Sequence, residues 1–390
     1  MRLPPRNLFF ARVYYFTFMG GWGFVLPFMN LFLVSLGLSG KQVGLISSVN
    51  ALVGMITSPI WVSEVKKHPR AQWLLQIAIL LGAIGYFLIG HQTEFPFILL
   101  LVFLHSLAAS GIMPLSDSMA VTVAEEANTG YGSVRAWASL GWIGSVLVSG
   151  ALVERFGYIA AFTGVTTMWI IAAVVVSFIH PNHFSSKLSS AIPETNLKLA
   201  FQRVIHNRTL MGFAIALIII GFLNSGVLQF EYVFLEELGA SKRLISVAGI
   251  LSAIVELPFM IYADRIVRRV GGLRLMLVAM SLTCIQRLIV FLFPTISTIL
   301  VIRFIGGVAF SFYTIAFVNL ISTQTATWET GTVLALYTVT IGGLVNIIAA
   351  PVAGAIYDAI GAHWLYLLSA IGYGTGGVSL WLTRPEKKAD

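Results

Sequence analysis

The sequence predicts an all-α integral membrane protein with twelve transmembrane helices in two six-helix pseudo-repeats. Three observations predict this class: an apolar composition, twelve apolar stretches of spanning length, and a repeat that relates the two halves of the chain. Of 390 residues, 57% are apolar and 10% are charged, and the mean hydropathy is +0.88. Soluble domains are about 45–50% apolar and about 25% charged, which excludes an ordinary soluble enzyme. The single cysteine, Cys284, excludes a disulfide scaffold.

The twelve apolar stretches follow one another with short polar breaks. Each is long enough to cross a bilayer as a helix, which needs ~20 residues. A β-barrel is disfavoured, because its strands are ~10-residue segments in which polar and apolar residues alternate. The first stretch is long and lacks a small-residue cleavage site, so we interpret it as a retained span and not as a signal peptide. The predicted spans are 9–34, 41–62, 72–91, 95–123, 131–153, 158–180, 209–235, 243–264, 273–293, 296–321, 331–356 and 363–383.

The longest polar connection, 181–208, suits a cytoplasmic linker between an N-terminal six-helix bundle over 1–180 and a C-terminal one over 209–390. Lysine and arginine placement predicts the orientation. With both termini cytoplasmic, 17 of the 24 basic residues lie on the cytoplasmic side and 4 on the outer side. We therefore expect a multi-pass protein of the cell (plasma or inner) membrane. No clustered soluble basic patch is present, so no nucleic acid is expected as a partner.

The two halves of the chain resemble each other at a nearly constant offset. Residues 32–39 (FLVSLGLS) match 234–241 (FLEELGAS) at five of eight positions. A Gly-Ala pair followed by an acid and a glycine occurs over 150–157 and again over 354–361. Parallel six-span repeats are typical of transporters that work by alternating access, with the substrate site between the halves near mid-membrane.

Six charged residues fall well within the predicted spans: Asp117, Arg135, Glu231, Glu256, Arg287 and Arg303. An unpaired charge at a helix centre costs ~2.5–3.5 kcal/mol, so the equal numbers of acids and bases predict pairing. Asp117 and Arg135 each lie ~8–9 Å inside the same membrane face, on adjacent antiparallel helices, which predicts a contact between them. The other four could form a second cluster. Each pair is either a structural clamp or a group that binds substrate or protons.

The segment from Tyr131 to Trp142 (YGSVRAWASLGW) resembles a signature of one branch of the major facilitator superfamily. Its pattern is an aromatic residue, Gly-x-x-Arg, then Trp or Phe, a small residue, Ser or Thr, x, Gly and an aromatic residue. That branch holds lactose and sucrose permeases, nucleoside–proton symporters and phenylpropionate permeases. The stretch 114–117 (PLSD) is similar to the acidic motif of its fourth span. The resemblance implies the major facilitator fold and secondary transport.

The resemblance also implies a substrate site. In sugar permeases of this branch, an acid on span four and an arginine on span five hold sugar hydroxyls, and an aromatic residue two turns further stacks on the sugar. The corresponding residues here are Asp117, Arg135 and Trp142. Arg135 and Trp142 are seven positions apart and so share a helix face. A carboxylate accepts and a guanidinium donates hydrogen bonds, which suits a polyol or a ribose; a solute with a carboxylate could use Arg135 directly.

The chain departs from the lactose permease pattern in span ten. That pattern has a basic residue followed at three and six positions by His and Glu, whereas Arg303 is followed by Gly306 and Ala309. Glu231 or Glu256 could replace this proton relay, since a membrane-embedded carboxylate can carry a proton.

Two further coupling hypotheses remain. An Arg287–Glu256 pair could open and close with protonation. His105, the only histidine well inside a span, could titrate, although a polar residue packed between helices is the preferred interpretation.

The chain contains no phosphate-binding loop, no metal-spaced Cys/His set and no nucleophile elbow. We therefore expect no enzyme activity, no cofactor and no metal. The sequence predicts a secondary active transporter, with proton-coupled symport of a sugar, a nucleoside or an aromatic acid. A proton-coupled exporter or a uniporter is the alternative. The expected partners are the solute, the proton and the lipid bilayer, and we expect a monomer.

Overall fold

The computed structural model describes residues 6–68, 71–184 and 197–384, and this part of the chain is helical with no β-strand. A 3₁₀ turn (Pro181–Phe184) and a π-helix (Leu336–Ile341) complete the regular elements. The helices are α1 (Arg6–Ser35), α2 (Gly40–Lys67), α3 (Gln72–Ile89), α4 (Phe95–Ala109), α5 (Ile112–Glu126), α6 (Tyr131–Phe156), α7 (Ile159–Val176), α8 (Leu197–His206), α9 (Arg208–Glu237), α10 (Lys242–Ile261), α11 (Ala263–Val270), α12 (Gly272–Leu292), α13 (Ile296–Gln324), α14 (Thr327–Ala335), α15 (Gly342–Ile360) and α16 (Ala362–Leu382).

Twelve helical segments in the described residues are long and apolar enough to cross a membrane, which confirms the twelve predicted spans. Every predicted bound lies within four residues of the observed one. The fourth span, Phe95–Glu126, is made of α4 and α5, and the eleventh, Glu329–Ile360, contains most of α14, the π-helix and α15. Helix α8 begins inside the predicted linker, of which residues 185–196 lie outside the described part of the chain.

The break within the fourth span precedes Pro114, which has no N–H to donate to the Ser110 carbonyl. Gly111, inside the break, lies against the indole of Trp61, and a Cβ there would be 2.4 Å from Trp61 Cγ. The chain can turn at this point because glycine leaves room for the tryptophan. The turn starts a new helix, α5, which carries Asp117.

The chain forms two compact units. Unit 1 comprises Met1–Leu38, Val49–Ile192 and Ser241–Val247, and unit 2 comprises Ser39–Ser48, Pro193–Ala240 and Ala248–Asp390. The first turns of α2 thus belong to unit 2 and those of α10 to unit 1. The sequence-based division into bundles over 1–180 and 209–390 does not anticipate this exchange and stays a prediction.

In each unit one long helix packs against two others. In unit 1, α1 packs against α6 and α7, and in unit 2, α9 packs against α15 and α16. Small residues allow the helices of unit 1 to approach: a Cβ on Gly141 would lie 2.0 Å from the Phe16 carbonyl oxygen. The Trp169 indole of α7 donates a hydrogen bond of 3.1 Å to the Phe18 carbonyl of α1. The core therefore forms by direct backbone approach and aromatic packing.

Two helix N-termini are capped by acids from distant parts of the sequence. Asp358 accepts hydrogen bonds from the backbone N–H groups of Gly40 (2.6 Å) and Lys41 (2.9 Å) at the start of α2. Glu154 accepts one from the backbone N–H of Arg243 (3.2 Å) at the start of α10. A carboxylate there satisfies free N–H groups and complements the helix dipole. Glu154 and Asp358 occupy equivalent positions in the sequence repeat, so the same capping interaction occurs in each unit.

Candidate functional site

Asp117 lies at the centre of a polar cluster in unit 1 that consists of Tyr15, Asp117, Tyr131 and Arg135 (the Asp117 cluster). Its Oδ1 atom accepts hydrogen bonds from the hydroxyls of Tyr15 (2.7 Å) and Tyr131 (2.8 Å) and lies 3.3 Å from Arg135 Nη1. No described residue donates a hydrogen bond to Oδ2. The side chains of Asp117 and Arg135 are 41% and 38% exposed, so both remain accessible to a solute.

Three helices position this cluster. Tyr131 and Arg135 are four residues apart on the first turns of α6 and so share a face. Helix α1 is fixed beside α5 by a hydrogen bond of 2.5 Å between the Tyr14 hydroxyl and Ser116 Oγ. The Arg135 guanidinium also lies 5.8 Å from the centre of the Tyr15 ring, within the range of a cation–π interaction.

The structure brings Asp117 and Arg135 into the contact expected from their depth in the sequence. Trp142 is half-buried on the same helix, and no ring contact or hydrogen bond joins it to the cluster among the described residues. At 1.5 Å per residue it lies about 10 Å further along α6 than Arg135. The sequence reasoning missed both tyrosines: the four-residue spacing of Tyr131 and Arg135 signals a shared face, but nothing distinguishes Tyr15 among the aromatic residues of α1.

His105 packs within the core of unit 1. It is 7% exposed, and its ring centroid lies 4.2 Å from that of Tyr86 and 6.1 Å from that of Trp169. Its Nδ1 atom lies 3.0 Å from the Gly82 carbonyl oxygen, to which it can donate a hydrogen bond. These contacts join α4 to α3 and α7 and suit a structural histidine.

A second charged cluster lies in unit 2 and consists of Glu231, Arg287, Arg303 and Tyr366 (the Glu231 cluster). Arg303 Nη2 lies 2.5 Å from Glu231 Oε2, and Arg287 Nη1 lies 3.6 Å from Oε1. The Tyr366 hydroxyl donates a hydrogen bond of 3.2 Å to Oε1. The glutamate side chain is 11% exposed and each arginine side chain is 17% exposed. One carboxylate thus faces two partly buried guanidinium groups.

Helix α13 holds Arg303 by approaching α10 closely at Gly307. A Cβ on Gly307 would lie 2.3 Å from the Ser252 carbonyl oxygen, so only glycine permits this approach. One turn earlier on α13, Arg303 Nη1 donates a hydrogen bond of 2.8 Å to the Ala248 carbonyl oxygen. Arg303 is therefore fixed by both a carboxylate and a backbone carbonyl.

A cavity of about 750 Å³ opens beside the Glu231 cluster, and its walls come from α9, α10, α12, α13, α15, α16 and the π-helix of unit 2. Glu256 lines it, and its carboxylate has no ion pair or hydrogen-bond partner among the described residues. Gln286, also in the wall, is 5% exposed, and its Nε2 atom has no acceptor within the same part of the chain. The Arg287–Glu256 pair considered from the sequence is not formed, because Arg287 contacts Glu231.

The π-helix Leu336–Ile341 forms one edge of this cavity, through Tyr337, Thr338 and Ile341. Such segments are rare and occur frequently at functional sites. The Tyr337 hydroxyl donates a hydrogen bond of 2.6 Å to the Leu210 carbonyl oxygen and ties this segment to α9. The sequence pattern gave no signal for the π-helix.

No group of three or more His, Cys, Asp and Glu residues that could hold a metal occurs in the described ranges. The polar groups of both clusters are hydroxyls, carboxylates and guanidinium groups, which can bind a polar organic molecule. An all-helical protein with twelve spans, two repeat-related halves and such a cavity has the organisation of a transporter of the major facilitator type.

The chain belongs to the MFS_1 like family, whose model matches residues 9–368, and the predicted superfamily is confirmed. It is 27% identical over 377 residues to the uncharacterized transporter YwbF of Bacillus subtilis, covering 96% of this chain and 92% of that protein. It is 27% identical over 271 residues to the maltose permease of Geobacillus stearothermophilus, covering 68% and 66%. A crystal structure of the nucleoside transporter NupG superimposes with a TM-score of 0.80 at 15% identity, covering 97% of this chain and 98% of that one.

Proposed function

We propose that this protein is a secondary transporter that moves a small polar organic solute across the cell membrane by alternating access, in symport with protons. The observation that carries the proposal is the cavity of about 750 Å³ with the unpartnered Glu256 in its wall, as far as the chain is described. Cavities of ~300–1,000 Å³ suit small organic ligands. An ionisable group inside a membrane protein that has no fixed partner is a functional hypothesis by default.

Within unit 1, the Asp117 cluster is by itself a candidate set of solute contacts. Asp117 and Arg135 are both accessible, and the Oδ2 atom of Asp117, which accepts no hydrogen bond from a described residue, can accept one from a solute hydroxyl. Trp142, on the same helix, offers an aromatic surface. The maltose permease relative, a protein named for a sugar, supports a solute with hydroxyl groups.

Glu256 is the proposed proton carrier. Glu231 already accepts contacts from two arginines and a tyrosine, which suits a fixed clamp. His105 is enclosed in the core of unit 1, and span ten lacks a titratable group at Gly306 and Ala309. Among the groups considered from the sequence, Glu256 therefore combines access to the cavity with the absence of a partner among the described residues.

The distribution of basic residues supports a cell-membrane protein with both termini in the cytoplasm. We propose that it acts as a monomer and without enzyme activity or cofactor, because the polar clusters described above suit binding and their side chains form no catalytic constellation.

The coupling proposal is tested in proteoliposomes. A thermal-shift screen of the purified protein first identifies a binding solute, and uptake of that labelled solute is then measured with and without an inward proton gradient. We expect accumulation that a protonophore abolishes. Glu256→Gln should retain solute exchange and lose gradient-driven accumulation, whereas Glu94→Gln, on an exposed connection, should behave as wild type. Uptake that ignores the gradient would indicate a uniporter, and proton-driven expulsion would indicate an exporter.

The solute-contact proposal is tested with Arg135→Ala. Loss of a charge-assisted hydrogen bond should weaken binding of the identified solute about 10-fold or more. Arg155→Ala is the matched control, because Arg155 is an exposed arginine on the same helix. Equal affinities of the two variants would remove Arg135 from the site.

A further inference from the structure

We infer that the cavity of unit 2 recognises an organic carboxylate and that Arg287 binds the carboxylate group of this solute. The inference rests on the proposed transport function and names its substrate class. The first observation is that the Arg287 guanidinium lacks hydrogen-bond acceptors among the described residues. The guanidinium has five N–H donors, yet it makes no hydrogen bond to any described residue. Its contacts are the Glu231 carboxylate at 3.6 Å and the Tyr366 ring at 5.7 Å.

Arg303, in the same wall, has more partners than Arg287. The two arginine side chains are equally exposed, at 17%. Arg303 donates to Glu231 at 2.5 Å and to the Ala248 carbonyl at 2.8 Å. Because Glu231 is committed to Arg303, Arg287 keeps a charge that is only partly compensated. The Glu231 cluster as a whole carries one excess positive charge, which a monoanion would neutralise.

Three N–H groups of residues that line the cavity lack an acceptor among the described residues. The Nε atoms of Arg287 and Arg303 are buried without an acceptor among the described residues, and so is Nε2 of Gln286, the neighbour of Arg287 on α12. The two arginine Nε atoms lack an acceptor in the described part of the chain whichever way the Gln286 amide is oriented. A carboxylate offers two acceptor oxygens and no donor, and it pairs with a guanidinium through two parallel hydrogen bonds. A sugar hydroxyl would bring a further donor.

Glu256 makes binding of the anion depend on a proton. Among the charged residues in the wall, Glu231 and Glu256 balance Arg287 and Arg303 when Glu256 is ionised. When Glu256 is protonated, the wall carries one positive charge and accepts a monoanion. The other titratable groups that line the cavity are the phenols of Tyr313, Tyr337 and Tyr373. Solute and proton therefore enter together, and the loaded cavity is neutral, so transport is electroneutral.

Binding is tested with a library in which each carboxylic acid is paired with the primary amide of the same skeleton. In the thermal-shift screen the acid should stabilise the protein and its amide should not. Arg287→Gln should weaken binding of the acid about 10- to 100-fold. Arg287→Lys keeps the charge but loses the planar fork, so it should bind with intermediate affinity. Arg274→Gln, an exposed arginine on the same helix, is the control. If Arg287→Gln does not fold, Arg287→Lys decides.

Transport is tested with the labelled acid in proteoliposomes. Uptake should follow a pH gradient and should not change when a potassium diffusion potential is imposed with valinomycin. The inference is overturned if the solute that binds is neutral, if the amide binds as tightly as the acid, or if the potential drives uptake. Proton-dependent uptake of a neutral solute would leave the proposed function standing. A library in which nothing binds would contradict both.

Discussion

Replacing Glu231 by glutamine is expected to destabilise unit 2 strongly. The substitution removes the negative charge that faces Arg303 at 2.5 Å and Arg287 at 3.6 Å and leaves two guanidinium groups, each 17% exposed, without a counter-charge. Removing one partner of a buried ion pair costs about 3–5 kcal/mol. For a unit of about 200 residues, each kcal/mol lowers Tm by ~2–4 °C, so a fall of about 6–20 °C is expected.

The assay is thermal unfolding of purified variants in detergent. Glu94→Gln, the same change at an exposed position, should leave Tm within about 1 °C of wild type. The double variant Glu231→Gln/Arg303→Gln should lose less stability than the two single variants lose together. The reason is that Arg303→Gln removes a positive charge that Glu231→Gln leaves unpaired. A Tm for Glu231→Gln equal to that of the control, or strictly additive effects, would refute the reasoning.

Three more predictions concern the packing of unit 2, a helix terminus and a loop histidine. Gly307→Val should force α13 away from α10 and lower stability by at least about 1–3 kcal/mol, whereas Gly306→Val should have little effect, because a Cβ there meets nothing nearer than 3.8 Å; thermal unfolding compares the two. Asp358→Ala should weaken the cap of α2 by about 0.5–2 kcal/mol, so amide hydrogen exchange in the first turn of α2 should accelerate, and unchanged exchange would contradict this role. Burial lowers the pKa of His183 below its ordinary 6.5, although the Glu126 carboxylate, 2.9 Å away, acts in the opposite direction. The folded state thus favours the neutral imidazole ring. The stability that the neutral His183 contributes is complete above about pH 6.5 and declines as the pH falls further. Tm measured from pH 8 to pH 5 should therefore decline less in His183→Gln than in wild type.

The spans were predictable because hydropathy and length are direct properties of the chain. The contact between Asp117 and Arg135 was predictable for a related reason: both lie at a known depth on helices joined by a short loop, between Glu126 and Tyr131. Depth and adjacency suffice there, since a hairpin of helices leaves little freedom of arrangement.

The partners within unit 2 could not be derived in this way. Glu231, Arg287 and Arg303 lie on three helices, and the choice of Arg303 as the closer partner depends on the approach of α13 to α10 at Gly307. That approach is a property of packing, which a hydropathy pattern does not encode. The π-helix at 336–341 likewise depends on a local change of hydrogen-bond register.

The exchange of helix ends described above has a consequence for dissecting the molecule. Unit 1 is completed by Ser241–Val247, and unit 2 by Ser39–Ser48. A fragment that stops in the 181–208 connection would therefore lack part of its own unit and would present Glu154 with no helix start to cap. The complementary fragment would likewise leave Asp358 without the helix start that it caps. Neither half of the chain is a self-sufficient module, and fragments of this protein should be produced together, so that each can supply the other's missing turns.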